Sequence, residues 1–190
     1  MKQIQAYLAG PDVFLPDAAA HAAAKIAICA RRGIVGVSPF NPSLDLSQPS
    51  SVLWRQIFAH DLRMMRECDL IIANLTPFRG ASADAGTLVE LGWFMCSGKP
   101  VFGYSNDAAD FQARSQAQRA ALPDPIPGLG VEDFGLSDNL MIPGAVEHGG
   151  GALVLPPDGV SRAFDSLEIF ELCVASAARR VNAKIAGFTG

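Results

Sequence analysis

The sequence predicts an α/β fold: a doubly wound parallel sheet of about five strands with helices on both faces. Three observations carry this. Short apolar runs alternate along the chain with longer stretches of helical patterning. The run Asp69–Leu75 (DLIIANL) is apolar without alternation, as a central parallel strand buried on both faces requires. Glycine and proline punctuate the boundaries between runs. With 49% hydrophobic and only 18% charged residues among 190, the chain is not disordered. Its length fits one domain spanning residues 1–190.

Gln3–Ala9 is the first strand, ended by the turn signal Gly10-Pro11. Asp17, following Pro16, is placed to cap an Ala-rich helix running to about Arg32, where Gly33 stops it. Ile34–Ser38 reads as the second strand, and Pro39–Pro49 as a Pro/Ser/Asn-rich loop. Ser50 or Ser51 opens a helix through about Glu67. After the Asp69–Leu75 strand, the loop Thr76–Ala83 leads into a helix from about Asp84 to Ser97, closed by Gly98. Pro100–Tyr104 is the fourth strand, and residues 105–121 are polar and helical in part. Residues 122–150 are dense in Pro and Gly and read as one long loop. Ala152–Leu155 is the fifth strand, and Ser161 to about Ile185 the closing helix.

Net charge −4 argues against a nucleic-acid polymer, whose partners usually present a basic face. Cys29, Cys68, Cys96 and Cys173 are widely spaced among apolar neighbours and read as buried, reduced thiols. The N-terminus runs directly into a strand pattern without a signal-peptide core. The longest apolar stretch, Ala18–Ala30, is interrupted by His21 and Lys25 and is too short to span a bilayer. A soluble, cytoplasmic protein with no membrane partner is expected.

In such sheets ligands bind beyond the carboxyl ends of the strands, at the point where strand order reverses. The loops Gly10–Pro16, Pro39–Pro49 and Thr76–Ala83 are therefore the ones to search, with Gly10 a candidate substrate contact. In so apolar a chain, an acid inside an apolar stretch needs a reason. Glu90 is the only charge between Asp84 and Lys99, in a helix apolar on every face and expected to be buried on most sides. A Glu on one solvated edge is the competing reading. Asp84 is the natural N-cap of that helix, and capping alone would explain it. Asp61 falls within the apolar stripe of its helix, at i+4 from Ile57 and i+8 from Leu53; an ion pair with Arg63 or Arg66 is the alternative. His21, His60 and His148 show no partner pattern. No metal site is expected, since neither zinc nor calcium spacing occurs. The first loop reads GPDVFLP rather than GxGxxG, and no P-loop exists, so no cofactor is expected.

These residues form a recognisable set. YLAGPDVF, the helix carrying Asp61, CDLIIANLTPF, SADAGTLVELGW and the later DNLM together resemble the nucleoside 2-deoxyribosyltransferase family, over about residues 4–142. The resemblance implies a flavodoxin-like fold and exchange of the base of a 2′-deoxynucleoside for another free nucleobase. It also implies a homo-oligomer, a dimer or hexamer, in which a neighbour completes each site. Carried over by residue, Glu90 resembles the nucleophile and Tyr7 the phenol that orients it. Asp84 resembles a ligand of the sugar hydroxyl, and Asp61 the acid that protonates the departing base. Asn139 and Met141 resemble the residues given to the adjoining subunit. Arg79 and the long connection from Glu90 to Asn139 depart from the pattern.

Two other functions compete. An N-glycosidase of deoxynucleosides or nucleoside 5′-monophosphates would share the fold and the glutamate. The charge of Asp12 in the first loop is expected to repel a phosphate. A non-catalytic nucleotide-sensing domain would leave Glu90 without a purpose.

Overall fold

The structure is a computed structural model and describes residues 3–40 and 47–187. Five strands, β1 (Ile4–Ala9), β2 (Ile34–Val37), β3 (Leu70–Asn74), β4 (Val101–Tyr104) and β5 (Gly150–Val154), form one parallel sheet in the order β2-β1-β3-β4-β5. That is the flavodoxin-like order, with its switch point between β1 and β3. The helices are α1 (Ala18–Arg31), α2 (Ser50–Glu67), α3 (Ala85–Cys96), α4 (Phe111–Ala121), α5 (Met141–His148) and α6 (Glu168–Gly187).

Strand alternation divides the core into two layers. Ala6 and Leu8 of β1, Leu70 and Ile72 of β3, and Phe102 and Tyr104 of β4 pack with Ile28 and Cys29 of α1 and Ile169, Phe170 and Cys173 of α6. Tyr7, Ala9, Ile71, Ala73 and Val101 face the other way, against Met65 of α2, Leu91 and Phe94 of α3 and Ile142, Ala145 and Val146 of α5. All five β3 residues are buried, because helices cover both faces. This period of two puts Tyr7 in the α2/α3 layer.

Several expectations are corrected. The segment read as one loop, 122–150, contains α5, whose apolar positions Ile142, Ala145 and Val146 follow helical spacing despite Pro143 and Gly144. The fifth strand begins at Gly150 rather than Ala152. Glycine is required at Gly151, because a Cβ there would collide with the Val101 carbonyl oxygen of β4. The closing helix starts at Glu168, not Ser161. Asp17 occupies the N-cap of α1 but makes no side-chain capping bond. Cys29, Cys68 and Cys173 are buried free thiols, whereas Cys96 is exposed. Residues 41–46 of the Pro39–Pro49 loop lie outside the described residues. No helix among the described residues is long and apolar enough to cross a membrane.

Candidate active site

Alternation along β1 aims the fully buried Tyr7 at α3. Its ring stacks on Phe94 at 5.9 Å between centroids, and its hydroxyl donates to Glu90 Oε1 at 2.5 Å. Burial, then the Glu90 charge, hold the phenol well above its ordinary range, so it remains a proton donor. Glu90 is pushed up to about 7, first by burial. The Tyr7 hydrogen bond favours the carboxylate and acts in the opposite direction, while the charges of Asp61 and Asp84 raise the value further. Glu90 thus feels Tyr7, Asp61 and Asp84 together. The α3 helix is less enclosed than its composition predicts: Thr87, Leu91 and Phe94 are buried, but Val89 is 71% exposed.

Asp61 lies in α2 with Oδ1 buried and without a hydrogen-bond partner among the described residues. Burial pushes its carboxyl upward, against the opposing influence of His60. Among the described residues it forms no ion pair with Arg63 or Arg66; an Arg63 guanidinium nitrogen instead sits 3.4 Å from His60 Nδ1. Trp54 and Phe58 occupy the same face of α2, about two turns and one turn earlier, and both rings are more than half exposed.

Asp84 does cap α3, accepting through Oδ2 from Thr87 N at 3.0 Å and Thr87 Oγ1 at 3.1 Å. Gly10 has φ 153° and ψ 164°, a conformation open to glycine; a Cβ there would meet Asn74 Cβ at 2.7 Å and Asp12 Oδ2 at 2.8 Å. Among the described residues Asn139 and Met141 make no hydrogen bond to Tyr7 or Glu90. Asn139 Nδ2 donates to Glu132 Oε1 at 2.6 Å, and Asn139 Oδ1 accepts from Met141 N at 3.1 Å. Both residues line a groove of about 560 Å³ between α3 and α5, with Leu88, Leu91 and Met95, and Met141 is 67% exposed.

The free charge expected at Asp12 is not found. Asp12 Oδ2 accepts from Lys25 Nζ at 2.6 Å and Oδ1 from Asn74 Nδ2 at 2.8 Å, and His21 Nε2 lies 3.4 Å away. These partners hold its carboxyl well below the usual range despite burial, which alone would raise it. Lys25, 2% exposed, also donates to Tyr104 Oη at 3.3 Å and sits over the Phe170 ring. Asp12 therefore presents no unpaired negative charge to repel a phosphate. Lys25 and Asn74 were missed as site-shaping residues. The signal was available for Lys25, a cation four residues before Cys29 and three before Ile28 on the apolar face of an Ala-rich helix. Arg79 has φ 56° and rests over the Phe14 and Phe78 rings, at 5.2 and 4.6 Å. Among the described residues no His/Cys/Asp/Glu group could hold a metal ion.

A family model described as nucleoside 2-deoxyribosyltransferase matches residues 6–141. The chain belongs to that family. A 2-desoxiribosyltransferase from Leishmania mexicana is 31% identical, with a TM-score of 0.59, over 90% of this chain and 97% of that one. A 2-deoxyribosyltransferase from Bacillus psychrosaccharolyticus (21% identical, TM-score 0.51, covering 78% of this chain and 84% of that one) shares the fold. An uncharacterized protein of Schizosaccharomyces pombe is 30% identical over 94% of this chain and 90% of its own length. The architecture of the nucleoside 2-deoxyribosyltransferase family and the α/β fold read from the sequence therefore agree.

Proposed function

We propose that this protein transfers the 2-deoxyribosyl group of a 2′-deoxynucleoside to a free nucleobase by retaining double displacement. The observation that carries the reading is the 2.5 Å hydrogen bond from the buried Tyr7 hydroxyl to Glu90, a carboxyl poised at about 7. A carboxylate at that value is ionised in a large fraction of molecules near neutrality, and the phenol fixes its orientation. Glu90 attacks C1′ of the sugar as the C1′–N bond breaks and its electron pair leaves with the base. Asp61, whose carboxyl burial pushes upward, gives the base its proton. The second base then attacks C1′, Asp61 takes up its proton, and the Glu90 ester is cleaved. Two inversions preserve the β configuration, as in retaining glycosidases. Asp84 binds a sugar hydroxyl, Gly10 lets the substrate approach the backbone, and the exposed rings of Trp54 and Phe58 offer stacking surface to a base.

Asn139 and Met141 complete the site of a neighbouring copy in a homo-oligomer. Supporting this, Met141 exposes its apolar side chain, free to meet another copy. The four free thiols suit a single-domain protein of a reducing cytoplasm.

The test is chromatography of purified protein incubated with 2′-deoxyinosine and adenine. Deoxyadenosine and hypoxanthine are expected. Free bases with deoxyribose would indicate the N-glycosidase instead, a reading the neutralised Asp12 leaves open for monophosphates as well. No turnover of any deoxynucleoside or nucleoside 5′-monophosphate would refute both. Glu90→Ala should abolish the exchange, and retention of more than a few per cent of the rate would remove Glu90 from the role of nucleophile.

A further inference from the structure

Asp138 is a carboxylate, 3% exposed, for which the reaction above has no use. Its Oδ1 accepts from Ser82 Oγ at 2.6 Å and from Asn139 N at 2.8 Å, and its Oδ2 accepts from Ala83 N at 3.0 Å. Two of those donors are more than fifty residues away in sequence, at the end of the 76–84 loop. A turn needing only its own backbone satisfied would be served by a neutral Asn or Ser. A buried carboxylate loses hydration, and here that loss is met by three neutral donors from two separate segments.

A second group braces the same two segments. The Arg114 side chain, 9% exposed, donates through Nε to Ala81 O at 2.9 Å, and through its other nitrogens to Ala109 O and Ser137 O. Ala81, Ser82 and Ala83 are thus tied in succession to Ser137 and Asp138. The next residue on one side is Asp84, the N-cap of the helix that carries Glu90. The next on the other side is Asn139.

We propose that Asp138 is a positioning residue: with Arg114 it locks the loop that sets Asp84 and the start of α3 to the Asn139–Met141 segment, so that the two move as one unit. Its effect on the reaction rests on the transferase reading, but the mechanical coupling does not. Asp138→Asn keeps the shape and replaces one acceptor oxygen by an N–H donor, which cannot satisfy both the Ala83 N–H and the Ser82–Asn139 pair.

Hydrogen–deuterium exchange read by mass spectrometry on full-length Asp138→Asn tests the coupling without any turnover. The expected result is faster exchange in peptides covering both 81–90 and 137–148, with the β1 and β3 peptides still protected. Faster exchange in 137–148 alone would overturn the proposal. In the base-exchange assay, well below the melting temperature, kcat/KM should fall about a hundredfold, the scale expected for misplacing a reacting group by about 1 Å. An unchanged kcat/KM with intact wild-type activity would also overturn it. If the wild type shows no exchange of bases, the transferase reading fails while the deuterium experiment still decides the clamp. Ser82→Ala, which removes one donor and leaves both backbone N–H bonds, guards against a variant that does not fold. It should loosen the same two segments to a smaller degree; loosening of neither would count against the clamp.

Discussion

Tyr7→Phe isolates one hydrogen bond at the proposed nucleophile. The substitution keeps the ring, its stacking on Phe94 and its buried volume in β1, and removes only the O–H that reaches Glu90 at 2.5 Å. That bond favours the ionised carboxylate, so without it Glu90 holds its proton to higher pH. A hydrogen bond to a charged group contributes about 1.5–3 kcal/mol, and each pH unit corresponds to about 1.36 kcal/mol. The acid limb of the kcat/KM profile should therefore climb from about 7 by about one to two pH units. At neutral pH the ionised fraction drops from about one half to between one and ten per cent, a loss of about five- to fiftyfold. Part of that loss should return in more alkaline buffer, until deprotonation of Asp61 removes the proton donor. The measurement is kcat/KM for base exchange across about pH 5 to 9. An acid limb that stays in place or moves downward would refute the assigned geometry, whatever the drop in rate.

Three further predictions concern stability. The Glu90 carboxyl sits at about 7 when folded against an ordinary 4.5, so across that window the folded protein keeps a proton that the unfolded chain gives up. Stability therefore falls as pH rises from 4.5 to 7, and 2.5 pH units at 1.36 kcal/mol each amount to about 3 kcal/mol. Glu90→Gln, which still accepts from Tyr7, should recover about that much above neutrality and almost nothing near pH 4; urea unfolding that gives equal gains at both would contradict it. Gly10→Ala should cost about 2–4 kcal/mol in the same assay, from an unfavourable backbone conformation and contact with Asn74 and Asp12. A loss under about half a kcal/mol would mean the turn simply relaxes. Lys25→Met strands the buried Asp12 carboxylate and should cost about 3–5 kcal/mol, much of it regained in the Lys25→Met/Asp12→Asn double variant. Additive losses would show that the two residues do not act as a pair.

The strands and most helices were legible because burial on two faces imposes simple patterns. DLIIANL could only be a buried strand, and Gly33 and Gly98 marked real helix ends, both at positive φ. What failed did so for local reasons. In α5, Pro143 and Gly144 masked an apolar spacing that packing against α3 and β5 makes worthwhile. Gly150 and Gly151 fall outside the strand read from the sequence because their use, close approach to Arg180 of α6 and to β4, is a property of the partner elements. At the site, Glu90 and Asp61 stood out as acids in apolar surroundings. Tyr7 did not, because a tyrosine in a strand is unremarkable until the residue opposite its hydroxyl is known. Asp12, Asp138 and Arg114 act through pairings tens of residues apart, which no local pattern encodes.

The proposed chemistry asks two carboxyls in one sheltered place to hold opposite protonation states, Glu90 charged and Asp61 neutral. Both are pushed upward by burial, and the charge of Asp61 raises Glu90 further, so ionising one opposes ionising the other. Two carboxyls that oppose each other's ionisation titrate as a coupled pair. Which member keeps the proton depends on the donors each is given. Glu90 receives a short bond from a phenol that cannot itself ionise in this setting, whereas Asp61 Oδ1 is buried with no donor at all among the described residues. The Tyr7 hydrogen bond therefore favours charge on Glu90, and burial favours the neutral form of Asp61, the arrangement the proposed first displacement needs. In the proposed scheme the base departs with the Asp61 proton while Glu90 is esterified and uncharged, which leaves the Asp61 carboxylate to serve as the base for the second half-reaction. In that scheme the Tyr7 hydroxyl is the asymmetry that separates the roles of two otherwise similar acids.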